Sequence, residues 1–229
     1  MKITWLGHAS FRIDIADQVL LIDPWLDGNP SFKGHDRAAA IAGATAILIT
    51  HAHGDHASEA ETIAKSANIP IACIAELSDI WAKDGVKTIG FNKGGTIKLG
   101  AVAVTMVNAI HSSTIDFKGA MIPAGSEAGY IISGEGHTIY VSGDTDVTSD
   151  MAIWNDLHAP DIGILNCGGH YTMDMTRAAY AARKFFNFKT VIPSHYKTFP
   201  ILAQNADDLK AALPGVTVLE PNVMQPITL

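Results

Sequence analysis

The sequence predicts an α+β fold, with two β-sheets lying face to face and helices outside them. Three observations carry this. Short apolar runs bounded by Gly, Asn and Asp recur along the whole chain. Strand-like and helix-like stretches fall into two blocks, the second beginning near Thr96. Finally, 48% hydrophobic residues in 229 suffice for a large core, and two such blocks bury their apolar sets best against one another. No low-complexity linker or charge block divides the chain, so residues 1–229 are expected to form one domain.

The elements follow in order. Ile3 to Leu6, Phe11 to Ile15 and Val19 to Ile22 read as strands; Phe11-Arg12-Ile13-Asp14-Ile15 alternates with period two, and Asp17-Gln18 suits a hairpin turn. A loop rich in Pro, Gly and Asn runs from Asp23 to Gly34. Ala46 to Thr50 is a strand. Ser58 to Ala67 is a helix, with Ser58 placed to cap it and Glu61 to complete a capping box. Ile71 to Ile74 is a strand and Glu76 to Lys83 a helix. Strands return at Thr96 to Leu99, Val102 to Val107, Tyr130 to Ser133 and Thr138 to Ser142. Then come a helix from Thr148 to Leu157, a strand from Ile162 to Asn166, a helix from Thr176 to Phe186 and a strand from Thr190 to Pro193. Ala206 to Leu213 is a last helix and Val216 to Leu219 a last strand.

Charge and composition exclude several classes. The net charge is −7, which argues against a nucleic-acid surface. No apolar run has the length of a membrane span, and the N-terminus lacks a signal-peptide pattern. Cys73 and Cys167 make no disulfide framework and read as small buried hydrophobes. A cytoplasmic setting is expected, with a small-molecule substrate, no nucleic-acid or membrane partner, and room for a homo-oligomer.

The chemistry concentrates in Thr50-His51-Ala52-His53-Gly54-Asp55-His56, directly after an apolar strand. Three imidazoles and a carboxylate so close together are costly to hold unless positive charge lies among them, and neutral imidazole with carboxylate is a transition-metal ligand set. In an extended chain His51, His53 and Asp55 start on one side. Gly54 is expected to take backbone angles other residues avoid, swinging His56 round, so that two pairs of ligands face two ions. The widely spaced Cys pair rules out a structural zinc finger, and the helical H-E-x-x-H signature is absent. A two-metal site needs further ligands. His111, Asp144 and His195 each sit just past a strand, as His51 does, although each alone also suits a surface or turn role.

This order resembles that of the metallo-β-lactamase superfamily: H-x-H-x-D-H, a single His, Gly-Asp-Thr, and a late His. Within it, the chain is similar to small metal-dependent hydrolases related to ascorbate-phosphate lactonases. Gly7-His8-Ala9-Ser10-Phe11, Ile22-Asp23-Pro24-Trp25, His111-Ser112-Ser113, Ser142-Gly143-Asp144-Thr145, Tyr171-Thr172-Met173 and Pro193-Ser194-His195-Tyr196 carry the likeness. The resemblance implies a four-layer αββα sandwich, the metallo-β-lactamase fold. It implies that His51, His53 and His111 hold a first cation, that Asp55, His56 and His195 hold a second, and that Asp144 bridges them. It implies two divalent ions, zinc first, with manganese or iron as alternatives. His53 stands where oxygen- or nitric-oxide-handling members usually carry Glu, which tilts the expectation toward hydrolysis. Gly169 stands where the family often has Asp before the aromatic-Thr-Met run, leaving His170 beside it as a pocket candidate.

Two cations about 3.5–4 Å apart can share a hydroxide as nucleophile at neutral pH. Asp55 is placed to take a proton as well as bind metal. The expected reaction is hydrolysis of a small ester, lactone or phosphorylated metabolite. Phosphodiester cleavage and metal binding without turnover are the alternatives. His8, Asp23, Ser112 and Thr145 are candidates to orient ligand imidazoles; Asp23 also fits a turn before Pro24. Trp25, His170, Tyr171 and Tyr196 are candidates to line the pocket, with the loop from Thr114 to Ala128 as a wall or cover.

Overall fold

The computed structural model describes residues 1–229. The first block forms strands β1 (Lys2–Trp5), β2 (Phe11–Ile15), β3 (Gln18–Ile22), β4 (Ala46–Leu48), β5 (Ile71–Ile74) and β6 (Thr88–Phe91). Its helices are α1 (Arg37–Ile41), α2 (Gly54–Ala57), α3 (Ala60–Ala67) and α4 (Ala75–Lys83). The second block forms β7 (Thr96–Leu99), β8 (Val102–Asn108), β9 (Thr114–Phe117), β10 (Ala120–Pro123), β11 (Ala128–Gly134) and β12 (His137–Val141). It continues with α5 (Asp150–His158), β13 (Ile162–Asn166), α6 (Met175–Phe185), β14 (Thr190–Ser194), α7 (Asp207–Ala212), β15 (Thr217–Val218) and β16 (Pro226–Thr228).

Two seven-stranded sheets result. One has the order β16-β1-β2-β3-β4-β5-β6, the other β15-β14-β13-β12-β11-β8-β7. The first is antiparallel from β16 to β3 and parallel from β3 to β6; the second is antiparallel from β7 to β12 and parallel from β12 to β15. Parallel neighbours need crossovers, and the helices supply them. The strands bear the matching burial signatures. β2 alternates buried and half-buried residues, whereas β4, β5, β13 and β14 are buried throughout, as parallel strands covered on both faces should be. A core of 62 buried residues draws on both sheets, with Phe11, Leu20, Tyr130 and Tyr140 among its largest members. The two sheets and their helices thus make the expected α+β sandwich around one core.

Several elements differ from expectation. Ser58 does not cap α3. It closes the short α2, its N–H donating to the Gly54 carbonyl, and Glu61 pairs with Lys65 instead of forming a capping box. Glu59 occupies the cap position but spends its carboxylate on the Leu26 and Asp27 amides and on Arg37. The segment Thr114 to Ala128 is not a plain loop; β9 and β10 pair within it as a separate hairpin. α1, β6 and β16 had no clear periodic signal. α1 has five residues and β16 three, and β16 is defined only by pairing with β1, which is remote in sequence.

Candidate metal centre

The site forms where the chain leaves the carboxyl ends of strands, three of them (β4, β12 and β14) in the parallel stretches and one (β8) antiparallel to both its neighbours. His51 follows β4, His111 follows β8, Asp144 follows β12 and His195 follows β14. His53 is extended and leads into α2, whose first turn carries Asp55 and His56. Gly54 therefore does a different job from the one expected. Its φ is not positive, and a Cβ there would meet nothing within 4 Å; the chain turns by starting a helix.

Four imidazoles aim at one carboxylate oxygen. The Nε2 atoms of His195, His56, His111 and His51 lie 3.1, 3.4, 3.7 and 4.0 Å from Asp144 Oδ2. His53 Nδ1 lies 3.0 Å from His51 Nε2. Asp55 Oδ2 lies 3.6 Å from His195 Nε2 and 3.8 Å from His56 Nε2. All seven side chains singled out in the sequence thus converge. Their ligand atoms fall into overlapping sets, each within 4.8 Å: His51, His53 and His111; His51, His56 and Asp144; and His8, Asp55, His56 and His195.

The hydrogen bonds behind the rings fix which nitrogens face inward. Asp23 Oδ2 accepts from His56 Nδ1 at 2.8 Å and from the Thr50 hydroxyl at 2.6 Å, while Asp23 Oδ1 accepts from the Thr50 amide at 2.8 Å. With its proton on Nδ1, neutral His56 turns a bare Nε2 toward Asp144. The Thr50 proton is committed to Asp23, so the contact of 3.1 Å between Thr50 Oγ1 and His51 Nδ1 needs an N–H from His51, which bares His51 Nε2 as well. Lone pairs facing a carboxylate repel unless positive charge lies between them. His56 Nε2, Asp144 Oδ1 and His195 Nδ1 are buried without a hydrogen-bond partner, a costly arrangement.

The electrostatics agree. Burial disfavours a charged His56, but Asp144 and Asp23 outweigh it and hold its pKa well above the ordinary histidine range. Burial is likewise outweighed at His195, where Asp144 above all raises the pKa to about 9. His51 goes the other way, well below the ordinary value, through burial and then the neighbouring His56. Burial works against the Asp55 anion, yet His195 and His8 hold its pKa far below the carboxylate range. The pocket attracts positive charge, and its imidazole and carboxylate donors suit a divalent first-row cation. The residues present fit the metals the resemblance implies.

Asp23 stands behind the His56 ring, its carboxylate on Nδ1. Its backbone is left-handed, with φ of 44°, and its own N–H bonds the Leu48 carbonyl, so it serves turn and ring at once. His8 reaches further than expected. Its Nε2 lies 2.9 Å from Asp55 Oδ2 and its Nδ1 2.9 Å from Thr198 Oγ1, placing the ring within a donor set rather than behind one. Thr145 orients no imidazole; its hydroxyl accepts the Ile110 amide at 2.9 Å. Ser112 Oγ stands 3.5 Å from His53 Nε2, at the limit of a hydrogen bond. Glu127, which accepts the His111 amide at 2.8 Å, gave no signal inside its Gly-rich segment.

Of the pocket candidates, Trp25 stands edge-on to His8 with ring centroids 5.4 Å apart. His170 and Tyr171 border a cleft of about 280 Å³ that reaches His111. Tyr196 is not at a pocket wall. It is fully buried and stacks on Trp5 at 5.3 Å, because the left-handed His195 sends the next side chain into the core. A larger cleft of about 450 Å³ opens against His53, beneath the β9–β10 hairpin.

A family model described as "Beta-lactamase superfamily domain" matches residues 18–196, which span the strands and loops that build this site. The chain belongs to the beta-lactamase superfamily. Within that superfamily it is 63% identical to a metal-dependent hydrolase of Dinoroseobacter shibae and 59% identical to one of Paracoccus denitrificans, with both chains covered completely in each case. Among solved structures, a metallo hydrolase of the archaeon Ignicoccus hospitalis superposes with a TM-score of 0.86 at 29% identity, covering 100% of this chain and 98% of that one. A metallo-beta-lactamase fold protein of Bacillus subtilis, at 16% identity and TM-score 0.73 over 99% and 98% of the two chains, shares the fold. This superfamily member is a metal-dependent hydrolase. As in any chain whose helices are this short, no helix is long and apolar enough to cross a membrane.

Proposed function

We propose that the enzyme holds two divalent cations, zinc first, and hydrolyses a small ester, lactone or phosphorylated metabolite. The observation that carries this reading is the position of Asp144. Its Oδ2 lies within 4.0 Å of imidazoles from both halves of the cluster, where a carboxylate shared by two ions belongs. His51 Nε2, His53 Nδ1 and His111 would hold one ion; Asp55, His56 Nε2 and His195 would hold the other. When bound, such a pair supplies a water acidified toward pKa about 7 and a Lewis acid for the scissile carbonyl or phosphoryl oxygen.

The chain's own groups do the rest. Asp55, kept ionised by His195 and His8, is an acceptor for the proton the nucleophile gives up. His8, backed by Thr198, holds that carboxylate in place. Neither cysteine competes as nucleophile: burial raises the pKa of both thiols, that of Cys167 to about 12.

The test is reconstitution. Protein stripped with a chelator is titrated with Zn²⁺ and assayed on esters, lactones and phosphoesters. Activity that returns only as the second equivalent binds supports the reading. Full metal occupancy without turnover of any of them overturns it.

A further inference from the structure

We propose that the cleft beneath the β9–β10 hairpin selects a substrate whose non-reacting part is apolar and carries no negative charge, and that phosphorylated metabolites are excluded. The inference rests on the hydrolase reading above and narrows its substrate class.

The cleft runs from His53 under the β9–β10 hairpin and has a volume of about 450 Å³, in the range that holds a small organic ligand. Its apolar surface comes from Ala52, Ala57, Trp81, Ile115 and Met121. Met121 is 66% exposed and Ile115 is half-buried, so both have apolar area left to cover. Besides the His53 imidazole, its titratable side chains are two carboxylates, Glu61 and Asp116. No Lys or Arg lines it. Lys65 is drawn to Glu61 at 2.6 Å, and Lys118 lies over the Phe117 ring at 4.8 Å. A phosphate or carboxylate tail would meet the Asp116 carboxylate and a Glu61 already paired with Lys65, and no unpaired cation lines the cleft. The smaller cleft at His111 does not rescue it, because its one guanidinium, Arg177, already forms two bonds to Asp146, at 2.8 and 2.6 Å. A neutral chain would instead cover Met121, Ile115 and the edge of Trp81.

The experiment uses zinc-loaded protein and two readouts. The first is binding by calorimetry of hexanohydroxamate, which is neutral beyond its chelating head, and of a hydroxamate of similar length ending in carboxylate. The neutral probe should bind at least tenfold tighter, and Glu61→Lys should narrow the gap several-fold by strengthening only the anionic probe. The second is hydrolysis of p-nitrophenyl acetate, butyrate and hexanoate, where kcat/KM should rise with chain length by up to about fourfold per methylene. Equal or tighter binding of the anionic probe, or no binding of either, overturns the inference. Tight neutral binding without hydrolysis of any ester supports the cleft assignment while overturning the hydrolase reading. Hydrolysis that favours phosphoesters does the reverse.

Discussion

The backbone N–H of His195 donates to the carbonyl of His8 across 3.0 Å, and their rings lie 4.0 Å apart. His8 follows β1 in one sheet and His195 follows β14 in the other, so this bond ties the two sheets together at the candidate metal centre. The Ala128 amide does the same from the second sheet to the Thr50 carbonyl at 2.9 Å, and the Tyr130 hydroxyl reaches the Ile49 carbonyl at 2.6 Å. The candidate ligands are thus held by rigid elements on both sides, as a preorganised site requires.

Because Asp23 serves His56 and Thr50 at once, Asp23→Asn should weaken metal binding about 10–100-fold. An amide cannot keep all three hydrogen bonds. Competition against a chelator of known affinity measures the change; unaltered affinity would show that the His56 ring is positioned without it.

His8 joins the set around Asp55, whereas His51, His53 and His111 lie apart from it. His8→Ala should therefore lower occupancy of one cation and spare the other. Metal analysis should move from two ions per chain toward one, with kcat/KM reduced about 10–100-fold. Loss of both ions would mean that His8 supports the whole centre.

Gly168 has no room for a side chain. A Cβ there would lie 1.9 Å from the His195 carbonyl oxygen, so Gly168→Ala must displace the segment that aims His195. We expect a loss of about 1–3 kcal/mol in unfolding free energy and weaker metal binding. Gly54→Ala is the contrasting case, because open space surrounds that position. Its stability should change by less than about 0.5 kcal/mol with both ions retained. Denaturant unfolding separates the two.

Glu220 pairs with Lys197 and Lys210, each at 2.6 Å, and so braces the turn after His195. Burial works against its charge, but the two lysines outweigh this and hold its pKa below the ordinary glutamate value. A depressed carboxylate pKa stabilises the fold above the unfolded-state pKa, and the contribution fades as pH falls through the folded one. Glu220→Gln should therefore cost about 0.5–1 kcal/mol at pH 7, with the difference closing below pH about 4. A gap that persists in acid would assign the effect to packing.

The sequence made the converging side chains legible because a metal site needs a particular set of donors, and those donors stand just past strong apolar strands. His51, His111, Asp144 and His195 could be placed from strand ends alone. What it concealed depends on contacts remote along the chain. The β9–β10 hairpin has only four residues a side, and β16 exists only by pairing with β1. Ser58 looked like a helix cap because its spacing to Glu61 is right, but α2 consumes it first. Tyr196 looked like a pocket residue from its neighbour His195; the left-handed backbone between them was invisible in residue types.

The most direct measurement is metal content per chain, by mass spectrometry of the elements, for wild-type protein and for His51→Ala and Asp144→Ala. We expect two transition-metal ions in the wild type and at most one in either variant, with Asp144→Ala the more damaging. A correctly folded wild-type protein that takes up no transition metal at micromolar excess would contradict it.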